Sequence, residues 1–270
     1  MYTLDDLLFL MARLRSPQGC PWDQLQTFSS IVPHTLEEVY EVIDALERED
    51  WPHLKDELGD LLFQVVFYAQ LADEAELFRF TDIIDQLVAK LIRRHPHVFP
   101  DGQLYTDQQQ PSIDPAQVNQ RWEMIKQQER GERQQHSVLD EVPQALPALN
   151  RAAKLQKRAA NVGFDWADTE GVLDKIEEEI AELRQAIRGG RHSEVLDEAG
   201  DLLFAQVNLC RHLKLDPEQA LRSTNRKFER RFRYVETQVN QQRGDFSTYS
   251  LEELDAFWNQ AKQRETADEH

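Results

Sequence analysis

Acidic residues at helical spacing, set out twice along the chain, restrict its possible folds more than any other feature. Glu178, Glu179 and Glu182 lie three and four residues apart and so share one face of a helix; Glu198 and Asp201 repeat the three-residue step on a later segment. Like charges at these spacings destabilise a helix. A hard divalent cation, which prefers all-oxygen ligands, reverses the sign of that interaction. The same pattern stands earlier as Glu37, Glu38 and Glu41 followed by Glu57 and Asp60, and the second cluster begins 20 residues after the first in both places (37 to 57, 178 to 198). Lys90 and Arg94 recur as Lys227 and Arg231, and Trp122 with Lys126 recurs as Trp258 with Lys262, while the offset drifts only from 141 to 137 to 136 residues. This is a tandem duplication. One Glu-Glu-x-x-Glu alone reads as a solvated acidic face. Its retention twice, together with the cations and the tryptophan, in halves that otherwise differ freely, favours a metal site.

At 270 residues the chain suits two domains, placed at 1–135 and 136–270. Its 31 Lys and Arg against 49 Asp and Glu, a net charge of −18, argue against general nucleic-acid binding, which needs basic surface. A small polyphosphate remains admissible if metal ions and a few placed cations receive it. Cys20 and Cys210 sit in different halves and suggest no disulfide framework, so a reducing, cytoplasmic setting is expected. The apolar run Leu7 to Ala12 is too short and wrongly flanked for a signal peptide. No run approaches the roughly 18 apolar residues of a membrane span.

Periodicity predicts helices throughout, beginning with 4–15, which the Ser16-Pro17-Gln18-Gly19-Cys20-Pro21-Trp22-Asp23 loop then breaks. Thr35 is expected to cap the first acid-bearing helix, with Glu38 completing a capping box. Further helices are expected over 53–72 and 81–94, then a polar loop over 100–114 and a helix opened by Pro115 that carries Trp122 and Lys126. A linker follows from 127 to 135, with Pro143 and Pro147 beyond it. The second half repeats the order, with a helix at 145–160, the Asn161–Trp166 loop, two acid-bearing helices, and helices near 219–241 and 251–264. The expected fold is all-α, two tandem helical bundles. Residues 58–68 and 202–209 offer apolar faces for dimerisation through helix packing.

Each half thus carries carboxylates on two helices, Lys and Arg on a third and Trp-x-x-x-Lys on a last one. Carboxylates bridged by Mg²⁺ to phosphate oxygens are the usual way to hold that ion. Metal ions steady in-line displacement at phosphorus. Lys227 and Arg231 can neutralise developing phosphate charge. Lys175, four residues before Glu179, can join from the same helix face. Trp258 is either a base-stacking platform or a core aromatic. The kit suits hydrolysis within a nucleoside polyphosphate. His95 and His97 have no histidine counterparts in the second copy and read as structural; neither cysteine has a neighbouring base motif.

These clusters, together with Gly-Cys-Pro-Trp-Asp at 19–23, Arg-Arg-His-Pro-His-Val-Phe at 93–99, Asn-Val-Gly-Phe-Asp-Trp at 161–166 and Lys-Phe-Glu-Arg-Arg-Phe at 227–232, closely resemble the bacterial MazG family over essentially the whole chain. The resemblance implies an all-α, Mg²⁺-dependent pyrophosphohydrolase, with Mn²⁺ as a possible substitute, that converts NTPs and dNTPs broadly to the monophosphate and pyrophosphate. It also implies a homodimer with a role in nucleotide-pool cleaning or stress. Carried over by position, Glu178, Glu179, Glu182, Glu198, Asp201, Lys227 and Arg231 are catalytic. Glu179, Glu182, Asp197, Glu198 and Asp201 are metal ligands, matched in the first copy by Glu38, Glu41, Glu57 and Asp60 with Glu37 beside them. Lys175, Lys227, Arg231, Trp258 and Lys262 face the nucleotide. The Lys175 position has no clean counterpart in the first half, so the second half is expected to be the stronger catalyst. Rivals are a narrower dUTP/dCTP or phosphoribosyl-ATP pyrophosphatase, and an acidic helical dimer that acts as a regulatory interaction module with structural metal sites. A di-iron carboxylate protein pairs Glu with His at three residues' distance, and here the partners are Asp60 and Asp201.

Overall fold

The computed structural model describes residues 1–105, 114, 117–118, 121–122, 124–125, 129, 137–140 and 142–268, with the backbone alone from 266. Among the described residues the regular structure is helical, and no strand occurs. The chain divides into two compact units, Met1–Glu129 and Arg130–His270. Pro115, Lys126 and all of the expected 127–135 linker except Glu129 lie outside the described residues.

The first unit contains α1 (Leu4–Arg15), α2 (Pro21–Leu25), α3 (Phe28–Glu47), α4 (Trp51–Glu74) and α5 (Phe80–Arg94). Cys20 is the N-cap of α2, so the break after α1 covers only 16–20; proline at the first helical position loses no bond that the helix could have made. The α3 start also differs from expectation. Thr27, in an extended conformation, accepts from the Ser30 N–H, and the Ser30 side chain accepts from the Thr27 N–H. This box starts the helix eight residues ahead of Thr35 and leaves Pro33 inside it, at the cost of one i−4 bond. Thr35 instead donates to the Ile31 carbonyl and lies 3.1 Å from the Tyr68 hydroxyl on α4. The core of this unit is Met11, Ile31, Val66, Phe67 and Leu71, which joins α1, α3 and α4. Burying each such side chain is worth about 1.5–3 kcal/mol.

The second unit contains α6 (Ala148–Ala160), α7 (Thr169–Gly189), α8 (His192–His212), α9 (Pro217–Gln242) and α10 (Leu251–Asp268). Asp168 caps α7 through the Gly171 N–H, and Asp216 caps α9 through Gln219. Gly190 ends α7 at φ 73°, a left-handed position that suits glycine. The helices pair as α7 with α8, α6 with α8, and α9 with α10, and α9 also touches α6 and α8. Val235, Val239 and Phe257 form an apolar cluster between α9 and α10. The α6–α8 region differs in burying polar groups, namely Gln156, Glu179 and Asn208.

Candidate active site

The pairing of α7 with α8 brings Glu179, Glu182 and Glu198 together, with one carboxylate oxygen from each lying within 4.8 Å of the others. The pairing of α3 with α4 does the same for Glu38, Glu41 and Glu57. Helical periodicity supplies two carboxylates on one helix and antiparallel packing supplies the third. Burial first, then the charges of Glu182, Glu179, Asp201 and Asp197, raises the Glu198 pKa. Burial, followed by Asp60, Glu41, Glu57 and Glu37, raises that of Glu38. Asp60, Asp197 and Asp201 therefore belong to the field of each cluster without joining its tightest triad.

Lys175 answers part of that charge. Its Nζ lies 2.8 Å from Glu179 Oε1 and 3.0 Å from Glu178 Oε1, and these bonds, Glu179's first, raise the ammonium pKa. The other oxygen, Glu179 Oε2, is buried with no hydrogen-bond partner. Glu179 is only 5% exposed, so an unanswered carboxylate oxygen here is costly. An all-carboxylate donor set with mutual repulsion and an orphaned oxygen fits a hard divalent cation.

Beside this cluster lies a cavity of about 470 Å³, within the range of small-molecule sites. Glu179, Asp201 and Lys175 line it, as do the aromatic side chains of Phe164, Trp166 and Phe204. Asp165 pins the loop that carries the first two: its carboxylate takes both Arg211 amino groups and lies 3.0 Å from His212 Nε2, and the Arg211 bonds lower its pKa. Trp166 turns the Cδ1 edge of its indole to Gly171, where an added Cβ would come within 2.7 Å of it.

The first copy differs at this place. At the acid helices' offset of 141, Phe67 stands where the second copy has Asn208, and His34 stands where it has Lys175. Phe67 is fully buried in the first unit's core, whereas Asn208 lines the cavity. His34 approaches Glu37 only at 3.8 Å, and its ring meets Trp22 at 5.8 Å.

Lys227, Arg231, Trp258 and Lys262 are not among the described residues lining the cavity. Trp258 packs on Phe228, with ring centroids 5.3 Å apart, and Arg231 sits over its indole at 5.7 Å. Arg230 and Arg231 both grip Glu265, at 2.6 and 2.8 Å. The first copy repeats the grip: Arg93 and Arg94 hold Glu129 at 2.7 and 2.5 Å, lowering its pKa to about 2. Sequence reasoning missed Glu129 and Glu265, although their 136-residue offset equals that of the two tryptophans. It also missed Gln156, which sits on a different helix from the acids, and Asn208, although it lies two turns beyond Asp201 on the same helix face.

Comparison with known proteins agrees with this duplicated architecture. Residues 26–99 match the MazG nucleotide pyrophosphohydrolase domain, and residues 146–228 match phosphoribosyl-ATP pyrophosphohydrolase. Over 270 residues, 98% of this chain and 99% of the relative, the sequence is 50% identical to the nucleoside triphosphate pyrophosphohydrolase of Escherichia coli (strain K12). It is 44% identical over 258 residues to the nucleoside triphosphate pyrophosphohydrolase/pyrophosphatase MazG of Thermotoga maritima, covering 96% of this chain and 95% of the relative. A third relative, the nucleoside triphosphate pyrophosphohydrolase of Mycolicibacterium smegmatis, is 36% identical over 163 residues, 60% of this chain and 47% of the relative. With two acid-bearing helix pairs in tandem and full-length identity at this level, the chain belongs to the MazG family of nucleotide pyrophosphohydrolases.

Proposed function

We propose that this protein is a Mg²⁺-dependent nucleoside triphosphate pyrophosphohydrolase whose working site is the second acid cluster. The observation that carries the proposal is the cavity on the carboxylates of α7 and α8, with Lys175 in its wall. Glu179, Glu182, Glu198 and Asp201 would hold the ion, and Mn²⁺ shares its preference for oxygen ligands. When bound there, the ion supplies Lewis-acid polarisation of phosphoryl oxygens. Lys175 orients Glu179 and Glu178 and keeps positive charge beside the triphosphate. The aromatic wall takes the nucleoside and excludes water from that end. Lys227 and Arg231 on α9, a helix that packs on α6 and α8, add positive charge for the polyphosphate, while Trp258 and Lys262 flank them from α10. In the first copy the buried Phe67 occupies the position of a cavity-lining residue, which supports the second half as the main catalyst.

We read the protein as acting broadly on NTPs and dNTPs, as a cytoplasmic homodimer. Leu58, Leu62, Val65, Leu203 and Phe204 are large exposed apolar side chains on the two faces expected to pair. Among the described residues no helix is long and apolar enough to cross a membrane. The match of residues 146–228 gives phosphoribosyl-ATP a place as the second reading. A substrate panel with phosphoribosyl-ATP included, run in ¹⁸O-labelled water, tests both. Monophosphate and pyrophosphate from several NTPs is the expected result. Orthophosphate released from the γ position, or turnover of phosphoribosyl-ATP alone, would overturn it.

A further inference from the structure

Arg231 is read above as a cation for the polyphosphate, yet a carboxylate already engages it. Glu265 Oε2 stands 2.8 Å from both Nε and Nη2 of Arg231, and Glu265 Oε1 accepts from Arg230 Nε at 2.6 Å. Both oxygens are thus clamped, and the Arg230 bond is the first cause that holds the Glu265 pKa below its ordinary value. A guanidinium carries five N–H donors; Glu265 takes the Nε–Nη2 edge, which leaves the Nη1 donors for another acceptor. The Arg230 side chain is 63% exposed, against 18% for Arg231 and 20% for Glu265, so Arg230 is the outer tie and Arg231 the cation that is held. The grip recurs in the first copy. Trp-x-x-x-Lys-x-x-Glu stands at 122–129 and again at 258–265, and the paired arginines Arg93 and Arg94 hold Glu129 as Arg230 and Arg231 hold Glu265. An ion pair with one arm in solvent adds little stability. Its retention in two copies that differ elsewhere points to a use for the arrangement itself.

We propose that Glu265 is a positioning residue, which fixes Arg231 over the Trp258 indole so that the remaining guanidinium donors meet the polyphosphate. The proposal rests on the reading of Arg231 as a phosphate-facing cation. A free arginine loses rotamer entropy each time it grips a phosphate, whereas a cation fixed beforehand costs no reorganisation as charge develops. Trp258, Lys262 and Glu265 follow at steps of four and three residues on α10, and Lys227 and Arg231 at a step of four on α9. Each set forms one stripe of its helix, and the contacts of Arg231 with Trp258 and Glu265 join the two stripes. One carboxylate between two arginines also leaves a net positive charge, so the clamp orients Arg231 without cancelling the pair. A carboxylate that merely occupied the phosphate's place would act with the opposite sign, because its removal would tighten substrate binding.

The test is a kinetic cycle on the full-length protein, with the best NTP of the panel and saturating Mg²⁺, over Glu265→Gln, Arg231→Ala and the double variant. Glutamine keeps the shape of Glu265 but accepts at one end only. Glu265→Gln should lower kcat/KM about tenfold, and in the Arg231→Ala background the same substitution should change it by less than about twofold. Arg230→Met, at an exposed side chain, removes the outer tie without touching α10; it should lower kcat/KM about threefold, again only while Arg231 is present. If Glu265→Gln loses helicity by circular dichroism, Arg230→Met decides by that criterion. Equal losses in both backgrounds would make the clamp a structural brace. A lowered KM would make Glu265 a stand-in for phosphate. Either result overturns the proposal and leaves the active-site reading standing. If Arg231→Ala keeps the wild-type kcat/KM, Arg231 is no phosphate contact and the proposal falls with that assignment alone. If the wild type releases monophosphate and pyrophosphate from no NTP, the functional reading falls and takes the proposal with it.

Discussion

Replacing Lys175 with methionine keeps the aliphatic stem and removes the ammonium that sits 2.8 Å from Glu179. Glu179 is 5% exposed and its second oxygen already lacks a partner, so the substitution leaves a buried carboxylate bare. Breaking a fully buried pair costs about 3–5 kcal/mol, whereas an exposed pair is worth about 0.2–1 kcal/mol. The Lys175 side chain is 33% exposed and shares its charge with the more open Glu178, so the loss should fall between these limits, at about 1–3 kcal/mol. At about 2–4 °C per kcal/mol for a chain of this class, the melting temperature should fall by about 2–12 °C. The assay is thermal unfolding followed by circular dichroism in EDTA, with Glu179→Gln and the double variant alongside. Neutralising Glu179 in the Lys175→Met background should recover most of the loss, because the unpaired charge is what costs energy. A shift below about 1 °C, or strictly additive losses in the double variant, would refute the view that Lys175 neutralises this cluster.

Burial and neighbouring carboxylates raise the pKa of Glu198 and of Glu38 in the folded state, so each contributes stability at low pH that is lost as pH rises through the folded value. A divalent ion relieves that repulsion, so the gain in melting temperature on adding Mg²⁺ to EDTA-treated protein should be larger at pH 8 than at pH 5; an equal gain at both would contradict it. Trp258→Ala removes the ring that packs on Phe228 and beneath Arg231, and should cost about 2–3 kcal/mol, at or below the range for buried tryptophan because this one is half-buried. A raised KM with unchanged stability would instead make Trp258 purely a nucleotide contact.

The acid clusters were legible because they are local: helical spacing alone places Glu179 with Glu182 and Glu38 with Glu41 on one face. The helix pairing was legible because the duplication states it twice. The start of α3 was not, since Thr35 carried a plausible capping signal while the Thr27–Ser30 box lay ahead of a proline that looks like a boundary. The cavity could not be read from spacing, because it arises where α6, α7 and α8 meet and Gln156 lies 23 residues before Glu179. Its asymmetry was nevertheless written in the chain: aligning the copies at their acids sets Phe67 against Asn208. The same alignment carried to the Arg pairs would have exposed Glu129 and Glu265 and shown that Arg231 is held by a carboxylate of its own domain.

The account turns on the second cluster being where catalysis occurs, and the most direct measurement is monophosphate and pyrophosphate release by full-length Glu38→Ala and Glu179→Ala under saturating Mg²⁺. Loss of turnover on the order of 100-fold or more in Glu179→Ala, with Glu38→Ala near wild type, is the predicted result. Equal loss in the two variants, or loss confined to Glu38→Ala, would contradict it.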